Sequence, residues 1–300
     1  VGALYGILGE ASPAELRALG DRLVHRGREA AEWSPGRGVH LGFRGPRRIV
    51  DVLEHGPVAF EGAIDNREEI ARVLRRRAGD PAGLAHDGSL VFELIDAIGP
   101  EALSLLSGPF AVACWNGSER RLLLARDRVG HAPLYYAVDR ERVVFASEYK
   151  ALLALDGIHA VPDLDILQRI QLGGWSPPGQ TCLRGILAVP PGTYLEVRRG
   201  TLSSRPYCEL PRLREHVEVG AEASEPLLLA ALERQVAGSG RIGVSLGGTP
   251  ECALLGRAVR TVAGEREIHA IGIGSAPDDP GLRSSAELAR SFGARHHGVV

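Results

Sequence analysis

Two consecutive glycines, Gly247 and Gly248, follow an apolar run from Ile242 to Leu246. A helical pattern through Ala253, Leu254, Leu255, Ala258 and Val259 comes after them. The order is strand, glycine turn, helix. Backbone N–H groups at such a turn, with a helix N-terminus behind them, suit an anion such as phosphate. The neighbouring side chains oppose it. Pro250 has no N–H to give, and Glu251 brings negative charge to the place a phosphate would take. The turn predicts a nucleotide site, and its side chains predict weak binding there.

Other residues with chemical potential are isolated. His25-Arg26-Gly27 reads as a capping histidine or a solvated arginine. Asp87 reads as a helix cap. Cys114, Cys182, Cys208 and Cys252 are scattered, without a C-x-x-C pair. They read as buried thiols of a cytoplasmic protein, not as a disulfide or metal framework. No metal site is expected.

The bulk numbers bound the partners. The chain has 300 residues, 44% hydrophobic and 24% charged, with a net charge of −2. That predicts an ordinary globular protein of one large or two ordinary domains. Near-neutral charge gives no case for nucleic acid or an acidic membrane surface. No apolar run reaches the length of a membrane span, and no signal-peptide pattern opens the chain, so a cytoplasmic location is expected.

The elements that must position these residues follow from periodicity. Val1 to Leu8 reads as a buried strand. Ser12, Pro13 and Glu15 form a helix start with a capping box, Leu16, Leu19 and Leu23 share one face, and Gly27 ends the helix. Val58 to Phe60 is a short strand. Asp65 and Glu68 start a helix with Ile70, Val73 and Leu74, and Asp87 starts another with Val91, Leu94, Ile95 and Ile98. Strands are expected at 110–115, 122–125, 134–138 and 143–146, paired antiparallel because their turns are short. A loop-rich bridge follows, with breakers at 175–179 and 189–192 and a strand at 193–197.

A domain boundary is placed within 205–223, giving domains at 1–205 and 206–300. Beyond it, a helix from Ser224 precedes strands at 241–246, 268–273 and 296–300, alternating with helices at 250–262 and 281–293. That alternation predicts a doubly wound parallel sheet. With three strands it is an incomplete one, and a homo-oligomer or a partner chain would complete it.

Three stretches carry a resemblance. They are Arg126-Asp127-Arg128-Val129-Gly130-His131-Ala132-Pro133 with Phe145 to Leu152; Leu183-Arg184-Gly185-Ile186 through Val189 to Leu195; and Ala270 to Gly274 with Arg295-His296-His297. The chain resembles the asparagine synthetases, which join a class II glutamine amidotransferase domain to an ATP-pyrophosphatase-type synthetase domain. The resemblance implies an α+β four-layer sandwich of the N-terminal-nucleophile type, followed by the α/β parallel sheet. It also implies glutamine hydrolysis by an N-terminal cysteine, and a synthetase using ATP and magnesium to activate a carboxylate as an acyl-adenylate.

Several family positions differ here. The family's Cys-Gly-Ile is matched with Tyr5-Gly6-Ile7, which leaves no catalytic nucleophile. Its Asn-Gly-Glu-Ile-Tyr-Asn becomes Glu61-Gly62-Ala63-Ile64-Asp65-Asn66. Glu61 then stands where an amide would support the oxyanion, and a carboxylate cannot donate there. Gly62, Asp87 and Arg44 are what remains of the glutamine pocket, Arg44 as a carboxylate clamp. In the second domain Ser-Gly-Gly-Leu-Asp-Ser becomes Leu246-Gly247-Gly248-Thr249-Pro250-Glu251. Leu246, Gly247 and Gly248, with Ile271 and Gly272 on the next strand, are the remnants of the nucleotide loop.

Three functions stay open. One is an asparagine-synthetase-like ligase with a dead glutaminase, acting on an amino acid or other carboxylate. Another is a non-catalytic binding or scaffold subunit. The third is a standard glutamine-hydrolysing enzyme whose sequence here lacks residues at the N-terminus, at methionine positions or beyond residue 300.

Overall fold

A computed structural model describes residues 2–34, 38–45, 50–53, 56–78, 86–208, 221–237 and 240–300. Two compact units divide the chain, Val1–Pro211 and Arg212–Val300. Most of the boundary expected within 205–223 lies outside the described residues.

The first unit opens with β1 (Ala3–Leu8), α1 (Pro13–Asp21), β2 (Glu29–Trp33), β3 (Val39–Gly45), β4 (Val50–Leu53) and β5 (Gly56–Gly62). Helices α2 (Arg67–Ala78) and α3 (Asp87–Ile98) follow, then β6 (Phe110–Asn116), β7 (Arg121–Arg126), β8 (Tyr135–Asp139) and β9 (Arg142–Ala146). It closes with α4 (Tyr149–Leu152), α5 (Leu164–Gly173), β10 (Ile186–Ala188), β11 (Thr193–Arg198) and β12 (Thr201–Pro206).

These strands make two six-stranded antiparallel sheets, ordered β10-β8-β9-β1-β3-β2 and β12-β11-β7-β6-β5-β4. Three apolar layers hold them. Leu4, Leu41 and Phe145 of one sheet meet Ala111, Leu124 and Leu195 of the other. Outside the second sheet, Ile70 and Leu74 of α2 and Leu90 and Leu94 of α3 cover Val58, Phe60 and Val112. Outside the first, Leu16 and Leu19 of α1 and Leu152 of α4 cover Tyr5, Ile7 and Val144. The unit is thus the expected four-layer sandwich, helix on sheet on sheet on helix, and the alternation of side chains along each strand feeds two cores at once.

Local chemistry explains most element boundaries. Ser12 and Glu15 close the capping box at the start of α1, with Pro13 in the first helical turn. The helix ends at Asp21, earlier than Gly27. A three-residue 3-10 turn, Val24–Arg26, replaces its last turn.

The four central strands exist, but β7 and β8 do not pair; they belong to different sheets. Asp127 causes the switch. Its buried carboxylate accepts N–H groups from Phe110, Val129, His131 and Ala132, folding the connection back on itself. Arg126 ties down the same loop by donating to the carbonyls of Ala132, Val189 and Gly130. Within the stretch expected to be loop, α5 is a further helix, N-capped by Asp163 and ended by Gly174.

The second unit contains α6 (Ala221–Val236), β13 (Arg241–Ser245), α7 (Pro250–Ala263), β14 (Glu267–Ile273), α8 (Pro280–Ser291) and β15 (Arg295–Val299). Its three strands are parallel in the order β13-β14-β15, as the alternation predicts. Leu232 and Val236 of α6, Ala258 and Val259 of α7 and Ala289 of α8 pack with Ile242, Val244, Ile268 and Ala270. Among the described residues the other face stays uncovered, with Ile271 and Ile273 exposed on it. Leu227 on α6 is also exposed. The packed stripe runs through Leu228, Leu229, Leu232 and Val236 instead.

Candidate functional site

A charged cluster gathers beside the N-terminal end of β1. Arg26 comes from the 3-10 turn after α1, Glu61 from the end of β5, and Ser147 and Glu148 from the join between β9 and α4. Arg26 uses all three of its nitrogens. Nε donates to the Gly2 carbonyl at 2.8 Å, Nη1 to Glu148 at 3.2 Å and Nη2 to Glu61. Glu61 is nearly sealed from solvent, and its second oxygen accepts the Ser147 hydroxyl at 2.6 Å. The Ser147 oxygen in turn accepts the Leu4 N–H at 2.9 Å. Arg26 reaches Gly2 from the 3-10 turn that follows the end of α1 at Asp21.

Burial pushes the Glu61 carboxyl above its ordinary range, while Ser147 and Arg26 pull the other way. Glu148 shows the opposite balance. Burial disfavours its charge, but hydrogen bonds from His25, Lys150 and Arg26 outweigh it and hold the carboxyl low. His25 Nε2 lies 2.8 Å from Glu148, and Lys150 Nζ lies 3.1 Å from it. A cavity of about 240 Å³ adjoins the cluster, walled by Arg26, Tyr135, Ser147, Glu148, Tyr149 and Lys150.

The residues singled out from sequence fall around this cluster unevenly. Tyr5 is not part of it. It sits inside β1, fully buried, with its ring so close to Gly20 and Gly42 that a Cβ at either would clash. Its hydroxyl donates to Glu32, and burial pushes the phenol well up. The cluster closes on Gly2 and Leu4 instead.

Gly62 is required where it stands. Its φ is +123°, and a Cβ there would come within 2.0 Å of the Pro109 carbonyl oxygen. Asp87 is not the cap of α3, because that position is His86, which makes no side-chain cap bond. The Asp87 carboxylate instead accepts the Ile64 N–H at 2.9 Å and pairs with Arg67. Arg44 lies on β3, where Nη2 donates to Asp21 at 2.8 Å and Nη1 to the Arg28 carbonyl. Arg44 and Asp87 therefore have separate partners on opposite outer sides of the sandwich, and they do not converge on a shared ligand position.

Sequence reasoning missed Arg26, Ser147, Glu148 and Lys150 as a group. His25-Arg26-Gly27 and the 145–152 stretch were the available signals, more than a hundred residues apart, with nothing in either to pair them.

In the second unit, the glycine turn satisfies its own donors. Leu246 N–H donates to the Ile271 carbonyl at 2.9 Å, which fixes the turn at the C-terminal end of β13. The Gly247 N–H goes to the Cys252 sulfur at 3.2 Å. Pro250 begins α7, and the exposed Glu251 carboxylate is held low by the Thr249 hydroxyl and by its own backbone N–H. Gly248 lies against Ser284, and Gly272 against Ser285 and His296. The residues present do not fit a triphosphate: one donor is missing, two are taken, and a carboxylate stands at the helix start. Among the described residues no group of three or more His, Cys, Asp and Glu is arranged to hold a metal ion. No helix among them is long and apolar enough to cross a membrane.

Comparison with known families bears on the sandwich directly. The model of a glutamine amidotransferase domain matches residues 2–208. The chain belongs to that family. It is asparagine-synthetase-like within it. Over 193 residues it is 28% identical to asparagine synthetase [glutamine-hydrolyzing] 1 of Bacillus subtilis (strain 168), a match covering 61% of this chain and 30% of that protein. Over 183 residues it is 30% identical to a putative asparagine synthetase [glutamine-hydrolyzing] of Mycobacterium bovis, covering 55% and 28%. Each match thus spans less than a third of the relative's length. Among solved structures, the allosteric regulatory enzyme of purine biosynthesis aligns with a TM-score of 0.50 at 15% identity, covering 99% of this chain and 80% of that one. That likeness concerns the fold alone.

Proposed function

We propose that this asparagine-synthetase-like amidotransferase domain is catalytically silent toward glutamine and serves as a non-catalytic binding subunit. The observation that carries this reading is Glu61 held between Arg26 and Ser147. Acyl transfer from glutamine needs hydrogen-bond donors aimed at the developing oxyanion. The two Glu61 oxygens accept from Arg26 and from Ser147, so neither is a hydrogen-bond donor aimed at an oxyanion. Ala63 lacks a carboxylate for a substrate ammonium, and Asp87 is already occupied by Arg67. Ammonia release from glutamine tests the reading, with none expected above the enzyme-free rate.

A second reading is ATP-dependent amide formation through an acyl-adenylate, with magnesium, on an amino acid or other carboxylate. One observation favours it. Gly247 and Gly248 follow the C-terminal end of a parallel strand, where open α/β sheets take their ligands. The self-satisfied turn weighs against it. Calorimetric titration with magnesium-ATP separates the two, since binding heat supports the second reading and its absence the first.

A further inference from the structure

A cavity of about 820 Å³ lies at the far end of β1 from the Arg26–Glu61–Ser147 cluster. Gly2 and Leu4, at the start of the strand, serve the cluster. Ile7 and Leu8, at its other end, pair with His40 and Val39 beside the cavity. The walls include Glu10, Ser12, Glu15, Gly38, His40 and Arg120.

Two of these side chains are spent. The Glu15 carboxylate accepts the Ser12 N–H at 2.8 Å, the Ser12 hydroxyl at 3.1 Å and an Arg142 N–H at 2.7 Å. Three others retain unused capacity. Arg120 lies in the turn before β7, and neither its guanidinium nor the Glu10 carboxylate has an ion-pair or hydrogen-bond partner among the described residues. The two do not pair with each other. His40 is only 3% exposed, and its Nδ1 lies 2.6 Å from the Ser34 hydroxyl. No hydrogen bond among the described residues reaches its Nε2. Burial holds this imidazole below its ordinary range, against the pull of Glu15. The uncharged ring has Nε2 left to give or take one hydrogen bond.

The free charges select the ligand. A simple anion is drawn to Arg120 and repelled by Glu10, and a simple cation meets the reverse. A molecule carrying both charges satisfies both groups. A carboxylate matches the guanidinium fork, an ammonium donates to Glu10, and a polar group between them can meet His40. The volume falls within the roughly 300–1,000 Å³ of small-molecule sites.

We propose that this cavity binds a zwitterion, an amino acid or short peptide with free α-ammonium and α-carboxylate groups. Only its purpose rests on the binding-subunit reading: Glu61 lies at the other end of β1, so ammonia release, present or absent, leaves the binding test standing.

Calorimetric titration of the whole 300-residue chain with L-alanine and with trialanine tests this, and the tighter of the two shows how far apart the charges are read. Binding of at least one is expected. N-acetylation or C-terminal amidation of that ligand should each weaken it about tenfold or more. Arg120 has a φ of +50°, a region that suits glycine, so Arg120→Gly removes the guanidinium without straining the turn. This variant should bind the free acid and the amide alike while still rejecting the acetylated form. Glu10→Gln should do the converse, and circular dichroism will verify both folds. No binding of either probe overturns the proposal. Binding indifferent to both caps, or caps still discriminated in the matching variant, overturns it equally.

Discussion

Arg26 and Glu61 form a largely buried ion pair that joins the turn after α1 to the end of β5. The pair also anchors β1, because Arg26 holds the Gly2 carbonyl and Glu61 reaches Leu4 through Ser147. Glu61 is thus part of the framework that holds the two sheets and the α1 turn together.

Removing one partner should therefore be costly. Arg26→Ala leaves the Glu61 carboxyl nearly sealed from water without its partner, and a loss of about 3–5 kcal/mol is expected. Replacing both, Arg26→Leu with Glu61→Leu, should cost less than Arg26→Ala, because no buried charge is stranded. Urea denaturation of the two variants measures the difference.

Gly62→Ala should lose roughly 2–4 kcal/mol. The substitution meets the Pro109 carbonyl oxygen and forces a positive φ on a residue with a Cβ. The same measurement applies, and a change within experimental error would show that the turn after β5 can relax.

The two glutamates of the cluster should shape the pH profile in opposite ways. Glu148 is held below its ordinary 4.5, so its stabilisation is present above that value and is lost as pH falls through the folded one. Glu61 is raised above 4.5 by burial, so its contribution is greatest below 4.5 and is lost as pH rises through its folded value. Glu148→Gln should flatten the acid limb of a plot of Tm against pH. Glu61→Gln should reduce the decline on the neutral side.

Much of the architecture could be read from the sequence. The capping box of Ser12 and Glu15, the apolar faces of α2 and α3 and the strand–helix alternation after residue 240 are local signals, and the structure bears them out. Helix α5 escaped because its apolar residues lie on both sides. Leu164, Leu167 and Leu172 face solvent while Ile166 and Ile170 face the core, which blurs any helical period. The β7–β8 connection escaped because a short turn normally pairs its strands, whereas Asp127 gathers four N–H groups and redirects the chain. The Arg26–Glu61–Ser147 cluster could not be read at all, since only the packing of two sheets brings those three segments together.

At the glycine turn, no heat is expected on titrating the natural chain with magnesium-ATP. Pro250→Asp with Glu251→Ser restores an N–H and the aspartate–serine pair of the related loops, and Cys252→Ala frees the Gly247 N–H. The triple variant should bind in roughly the millimolar range. If it gives no heat either, the defect extends beyond the turn.

Ammonia release from glutamine tests the central claim most directly. With the Arg26–Glu61–Ser147 cluster intact, the expected rate at saturating glutamine is indistinguishable from the enzyme-free control. Sustained release proportional to protein concentration would contradict the claim, because a carboxylate clamped in that cluster could not then be what governs the site.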